Sequence, residues 1–146
     1  MTTIAWDGMV LAGDTLSIMG DNLKQSAQKI YRLPDGRMYG GCGDLQDVLA
    51  VHAWLVTGGC KPPIDQNFSA LVIDTLGNCA KLENRLIMMP VHAPYIALGS
   101  GRDFAIAAMA LSQCAEDAVR LAAQFDVWTG DVVETLSLEP LHVRKE

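Results

Sequence analysis

The residue with the most chemistry to offer is the second one. The chain opens MTTIAWDG, and a threonine directly after the initiator methionine has two readings. In one, Thr2 is a small, β-prone residue at a tolerant terminus. In the other, loss of Met1 leaves a hydroxyl and a free α-amine on the same residue. Such an amine titrates near pH ~7.7–8.0, so it can act as base for its own hydroxyl.

Five further positions could support that chemistry, and each also has a plain structural reading. Asp14, in AGDT, ends an apolar run and reads as a turn carboxylate. Lys29 opens KIYRL and reads as a solvated lysine on a strand edge. The glycine-rich GGCGD at 40–44 reads as a tight turn with an Asp cap, or as a backbone N–H exposed to an oxyanion. It lacks GK[ST] and the spacing of GxGxxG, so it is no phosphate loop. In GSGRD, Ser100 and Asp103 match the S-x-x-D capping pattern. In FDVWTGD, Asp126 and Thr129 stand three apart at a helix boundary that Gly130 would end.

The elements that must position these residues follow from periodicity and punctuation. TIAW and MVLAG flank Asp-Gly, and KIYRL and RMYGG flank Pro34-Asp35-Gly36, predicting two hairpins. The segment between the hairpins, DTLSIMGDNLKQSAQ, reads as irregular. DLQDVLAVHAWLV spaces Leu45, Val48, Leu49, Val51 and Leu55 as a helix, with Asp44 as N-cap and GGCKPP as stop. SALVIDT and CAKLENRL, then APYIALG, predict three more strands. RDFAIAAMALSQ and AEDAVRLAAQF predict two helices, and DVVETLSLEPLHV one or two closing strands. Hairpins on both sides of helices argue for antiparallel sheets. The strands are too continuously apolar to face water. The expected class is α+β: two antiparallel sheets packed together with helices outside, in one domain spanning 1–146.

Composition narrows the function classes. The 146 residues are 50% hydrophobic, with a net charge of −6 and a pI near 4.9. No basic run and few aromatics speak against nucleic acid. The cysteines at 42, 60, 79 and 114 and the histidines at 52, 92 and 142 are scattered, so no metal site or cofactor is expected. No leader segment and no apolar run near ~18 residues is visible, so a cytoplasmic protein without a membrane span is expected. Four reduced thiols fit that compartment.

Taken in order, TTIAWDGMVLAGD, QKIYRL, the glycine loop, IALGSG and DVWTG resemble the proteasome β-subunit family of N-terminal-nucleophile hydrolases, including the HslV-type peptidases. The resemblance runs over nearly the whole chain, with Thr129 where the family's D-x-x-S-G turn has serine. It implies a four-layer αββα sandwich and a threonine endopeptidase. Thr2 would be the nucleophile, Lys29 a cation beside it and Asp14 the holder of that charge. The Gly41 N–H would bind the oxyanion, with Gly40 as the alternative. Ser100, Asp126 and Thr129 would orient the amine. It also implies a peptide or unfolded-protein substrate, a homo-oligomeric ring and an unfoldase ATPase partner. The chain departs from the family after its first helix, where a second helix is missing, so one helical layer is expected to be reduced and part of the sheet uncovered. A structural ring or shell subunit without turnover, and a small-molecule amidase with the same nucleophile, are the alternative functions.

Overall fold

In the computed structural model, residues 2–19 and 23–139 are described. Among them the elements run β1 (Thr3–Trp6), β2 (Val10–Asp14), β3 (Leu16–Met19), β4 (Leu23–Ser26), β5 (Ile30–Arg32), β6 (Met38–Cys42) and α1 (Leu45–Thr57). Then follow β7 (Ser69–Ile73), β8 (Cys79–Leu82), β9 (Met89–Val91), β10 (Ile96–Gly99), α2 (Arg102–Ala110), α3 (Ala115–Phe125) and β11 (Val133–Ser137). One antiparallel sheet has the order β10-β1-β2-β11 and the other β5-β6-β7-β8-β9.

Side-chain alternation builds the four layers, because successive residues of a strand face opposite sides. Ile4, Trp6 and Leu11 of the first sheet meet Ile30, Met38, Leu71 and Ile73 of the second in a core between the sheets. The outward residues of the first sheet are Ala5, Ala12 and Ala97, and these small side chains let α2 and α3 pack closely on it. The outward residues of the second sheet, Tyr39, Ala70, Val72 and Leu82, receive Val48 and Val51 of α1. The expected αββα sandwich is therefore present.

The reduced helical layer is present too, with α1 alone on its side of the sandwich among the described residues. The expected bare sheet is not. Phe68 and Leu86, both buried, pack beside α1 together with the partly buried Ile64. Irregular chain thus covers the outer face that a second helix would otherwise cover.

Two local expectations are corrected and one short strand is added. The segment read as irregular holds the β3–β4 hairpin, paired from Leu16↔Ser26 to Met19↔Leu23. Strand β4 is exposed along its whole length, so it carries no apolar alternation that could announce it. The short β9 pairs with β8 at the sheet edge, where Pro90 is tolerated. Helix α2 is capped by Gly101 without a side-chain hydrogen bond, so Ser100 does not act as the expected cap. Asp44 does cap α1, accepting the Gln46 N–H at 3.0 Å. The closing pattern gives β11, and its continuation from 140 onward lies outside the described residues.

Candidate active site

Thr2 lies just ahead of β1 and is buried, with 3% of its surface exposed. Its position is fixed by the pairing of β1 with β10, in which Thr3 faces Gly99. Gly99 has φ of 97°, and a Cβ there would overlap the Thr2 carbonyl. Only glycine satisfies both the left-handed backbone and the close approach.

On one side of Thr2 stands a buried ion pair. Asp14 ends β2 and Lys29 immediately precedes β5; the Lys29 ammonium donates to both Asp14 carboxylate oxygens at 3.1 Å. Asp14 also accepts the backbone N–H groups of Thr3 at 3.0 Å, Leu16 at 3.2 Å and Gly130 at 2.9 Å. One carboxylate thus ties the start of β1, the β3 hairpin and the turn after α3 together. Burial lowers the Lys29 pKa, and the Asp14 charge and hydrogen bonds only partly offset this.

On the other side is a hydroxyl–carboxylate network. Ser100 donates to Asp126 at 2.5 Å, and Thr129 donates to the same Asp126 oxygen at 2.6 Å. Thr129 also contacts the Thr3 hydroxyl at 2.7 Å. A hydroxyl has one proton. Since that of Thr129 goes to Asp126, Thr3 is the donor to Thr129. Burial would raise the Asp126 pKa, but the hydroxyl bonds from Ser100 and Thr129 and the Trp128 N–H outweigh it, and the net shift is downward.

The structure therefore brings Thr2, Asp14, Lys29, Ser100, Asp126 and Thr129 into one locality. It adds Thr3, whose amide joins the first network and whose hydroxyl joins the second. No short-range signal marks Thr3, because its partner lies 126 residues away. Gly130 does not end α3, which is capped by Asp126; its N–H serves Asp14 instead.

Gly41 is placed differently from its expected role. Its N–H donates to the Lys29 carbonyl at 3.1 Å, so it is committed to the sheet. N–H groups alternate between strand edges, which turns that of Gly40 toward β7. The next N–H on the Gly41 edge is that of Gly43, beyond the end of β5. Gly43 has φ of 120° and stops the strand. It lines two cavities that also meet at Thr2.

The first cavity, about 590 Å³, runs between the β3 strand and α1 and includes Lys29. The second, about 540 Å³, lies toward Ser100 and Arg102. Among the described residues no group of three or more His, Cys, Asp or Glu side chains is placed to hold a metal ion.

Cys42 lines the second cavity beside Thr2, yet burial pushes its thiol pKa up, and Cys79 is pushed up to about 11. Neither forms the reactive thiolate at neutral pH. Cys60 and Cys114 are exposed. Iodoacetamide applied to the folded protein should therefore alkylate Cys60 and Cys114 first and spare the other two, as read by peptide mass mapping. Early modification of Cys42 would contradict this placement.

No protein-family model matches the chain, and no curated protein matches it in sequence. Solved structures do. Thiobacillus denitrificans BPH aligns at 19% identity and a TM-score of 0.70, over 95% of this chain and 98% of that one. The same protein in complex with epoxomicin aligns at 19% identity and a TM-score of 0.71, over 95% and 99%. Eukaryotic HslV from Trypanosoma brucei aligns at 22% identity and a TM-score of 0.68, over 93% and 99%. This is the proteasome-type N-terminal-nucleophile hydrolase fold. Within that fold the two networks described above flank the start of β1, one from each side. The near-complete coverage of both chains means that the match extends over the whole sandwich.

Proposed function

We propose that the chain is a threonine endopeptidase, with the Thr2 hydroxyl as nucleophile once Met1 has been removed. The observation that carries this reading is the setting of Thr2: buried, bordered by two cavities, and flanked by the Asp14–Lys29 pair and the Ser100–Asp126–Thr129 network.

The freed Thr2 amine takes the hydroxyl proton as the oxygen attacks a peptide carbonyl. Lys29, which lines the same cavity as Thr2, favours the developing alkoxide. Thr129 donates its hydroxyl hydrogen to Asp126 in a hydrogen bond and accepts from Thr3, so its remaining lone pair can accept an N–H of the amine. The oxyanion of the tetrahedral adduct takes the Gly43 N–H, the one glycine of the loop whose N–H is turned to this edge beyond the sheet. On collapse, the Thr2 ammonium returns the proton to the leaving amine and an ester remains on Thr2. Water, deprotonated by the same amine, hydrolyses it.

The β3 strand favours a peptide over a small amide. Among the described residues it is paired on one edge only, by β4, and Leu16, Ser17 and Ile18 line the cavity beside Thr2. An extended peptide can add to such an edge as a further strand.

The deciding experiment is the intact mass of the purified chain before and after incubation with a peptide epoxyketone, which needs both hydroxyl and amine for a stable adduct. A chain lacking Met1 that gains one inhibitor mass supports the reading. A chain without Met1 that gains nothing moves the reading to a structural subunit.

We infer further that the chain works in the cytoplasm as a homo-oligomeric ring. Phe125, Val127, Trp128 and Val132 are exposed along one short stretch, with Phe104 stacked on Phe125 at 5.4 Å. Apolar exposure of that kind marks an association surface. Sedimentation should give a species several times the 15.8 kDa chain mass. A compact monomer at high concentration would argue against it.

A further inference from the structure

Thr3 joins the two networks at Thr2, and its side chain is a choice that packing alone does not explain. It stands on the face of β1 that also carries Ala5 toward α2 and α3. A valine would have the same shape there and suits a strand as well. Instead a hydroxyl is buried, with 0% of the residue exposed, and a buried hydroxyl is costly unless it is bonded. Its bond is the one to Thr129 at 2.7 Å. Gly101 keeps room for that hydroxyl pair. A Cβ at Gly101 would overlap the Thr3 oxygen and come within 3.0 Å of the Thr129 oxygen. Gly101 has φ of −94°, which any residue adopts, so space and not backbone conformation calls for glycine.

The direction of the bond decides what it does. The Asp126 pKa is lowered, so at neutral pH its carboxylate only accepts. It accepts from Thr129 at 2.6 Å and from Ser100 at 2.5 Å. With its hydrogen turned to Asp126, the Thr129 oxygen offers two lone pairs, and the Thr3 O–H occupies one. A single lone pair remains, and the other two bonds set its direction. The Thr3 backbone N–H meanwhile donates to Asp14 at 3.0 Å, on the oxygen that Lys29 also reaches at 3.1 Å. That N–H belongs to the peptide bond with Thr2, so it holds the backbone next to the nucleophile whatever side chain follows.

Resting on the peptidase reading above, we propose that Thr3 is a positioning residue for the reaction: by occupying one lone pair of Thr129, its hydroxyl leaves the other directed at the Thr2 amine and holds that base in line with the hydroxyl it deprotonates. Thr3 borders neither cavity at Thr2, so it acts through Thr129 and not on the substrate. Without the Thr3 hydroxyl, Thr129 keeps its bond to Asp126 but can swing about it, and the amine loses a fixed partner. The chemical step slows and substrate binding does not change.

The test compares Thr3→Val with Thr3→Ser in the full chain lacking Met1. Valine keeps the shape and loses the hydroxyl; serine keeps the hydroxyl and loses the methyl group. The backbone bond to Asp14 is available in both. A positioning role makes Thr3→Ser the faster enzyme, and a packing role makes Thr3→Val the faster one. On a fluorogenic peptide, Thr3→Val should show kcat lower by about tenfold to a hundredfold, the scale of a misplaced reacting group, with KM unchanged. Thr3→Ser should keep most of the parent's kcat. Labelling of Thr2 by a peptide epoxyketone counts the competent sites, and Thr3→Val should still reach one adduct per chain, more slowly than the parent. An active parent with Thr3→Val equally fast, or with Thr3→Ser the slower variant, overturns the role of Thr3 alone. So does a loss in Thr3→Val that is matched by chain left unlabelled. Absence of both adduct and turnover in the parent overturns the peptidase reading and the role of Thr3 with it.

Discussion

Replacing Thr2 with alanine is expected to lower kcat/KM for peptide hydrolysis by about 10⁴- to 10⁶-fold, the scale on which removal of a covalent nucleophile acts. The loss should come without unfolding. Thr2 precedes β1, and its backbone is held by the Gly99 approach, which alanine preserves. Thermal midpoint and sedimentation should stay close to those of the parent chain. Thr2→Ser keeps hydroxyl and amine and should retain turnover. The pH dependence belongs to the same prediction. The base is an α-amine with an ordinary pKa of about 7.7–8.0, so kcat/KM should rise with pH through one limb in the neutral region. Asp126 does not set that limb, because its shift is downward from 3.8 and it is ionised throughout. Removing the Ser100 hydroxyl withdraws one of the bonds that hold Asp126 down, so its pKa moves up toward the usual carboxylate range. Undiminished turnover in the Thr2→Ala variant would remove Thr2 from the mechanism.

How much of this was readable in the sequence depends on the range of the interaction concerned. The Asp44 cap and the helix it starts are local, and their signals were sufficient. The three layers of core follow from alternation in β1, β2, β6 and β7, where Ile4 and Ala5 or Leu71 and Val72 face opposite sides. The β3–β4 hairpin escaped because β4 faces water throughout and its residues obey no buried period. Ser100 satisfied a capping pattern, yet its hydroxyl turned to Asp126, 26 residues on, where a carboxylate offers a stronger charge-assisted bond. The sheet bond of Gly41 could not be read from GGCGD, since three glycines share one composition and only the strand pairing commits the Gly41 N–H to the Lys29 carbonyl. Asp14 and Lys29 looked like a turn carboxylate and an edge lysine. That they form one buried pair is a property of the sandwich, and the order of motifs along the chain was the only sign of it.

That buried pair gives the largest expected effect on stability. Asp14→Ala should destabilise the fold by about 3–5 kcal/mol, because a buried ammonium loses its counter-charge. The Lys29 and Asp14 side chains are 6% and 0% exposed, so water cannot replace the lost partner in place. Three backbone N–H groups, those of Thr3, Leu16 and Gly130, lose their acceptor in the same substitution. Against a total stability of about 5–15 kcal/mol, the variant would be marginal, and Asp14→Asn is the milder form for measurement. It removes the charge and keeps one carbonyl oxygen, which can still serve the Leu16 and Gly130 N–H groups, while its NH2 group no longer accepts from Thr3. The sign of its pH dependence follows from Lys29. Burial already lowers its pKa below 10.5 in the folded chain, and loss of the Asp14 charge lowers it further. The unfolded chain then binds more protons, so the stability of Asp14→Asn should rise with pH from the lowered folded pKa up to about 10.5. The parent should show the same rise over a narrower window. Adding Lys29→Met to Asp14→Asn removes the stranded charge. Urea melts of the parent, both single variants and the double should show the double to be less destabilised than the sum of the singles. Additive losses, or a loss below about 1 kcal/mol for Asp14→Ala, would mean that the pair is not the buried electrostatic unit its geometry describes.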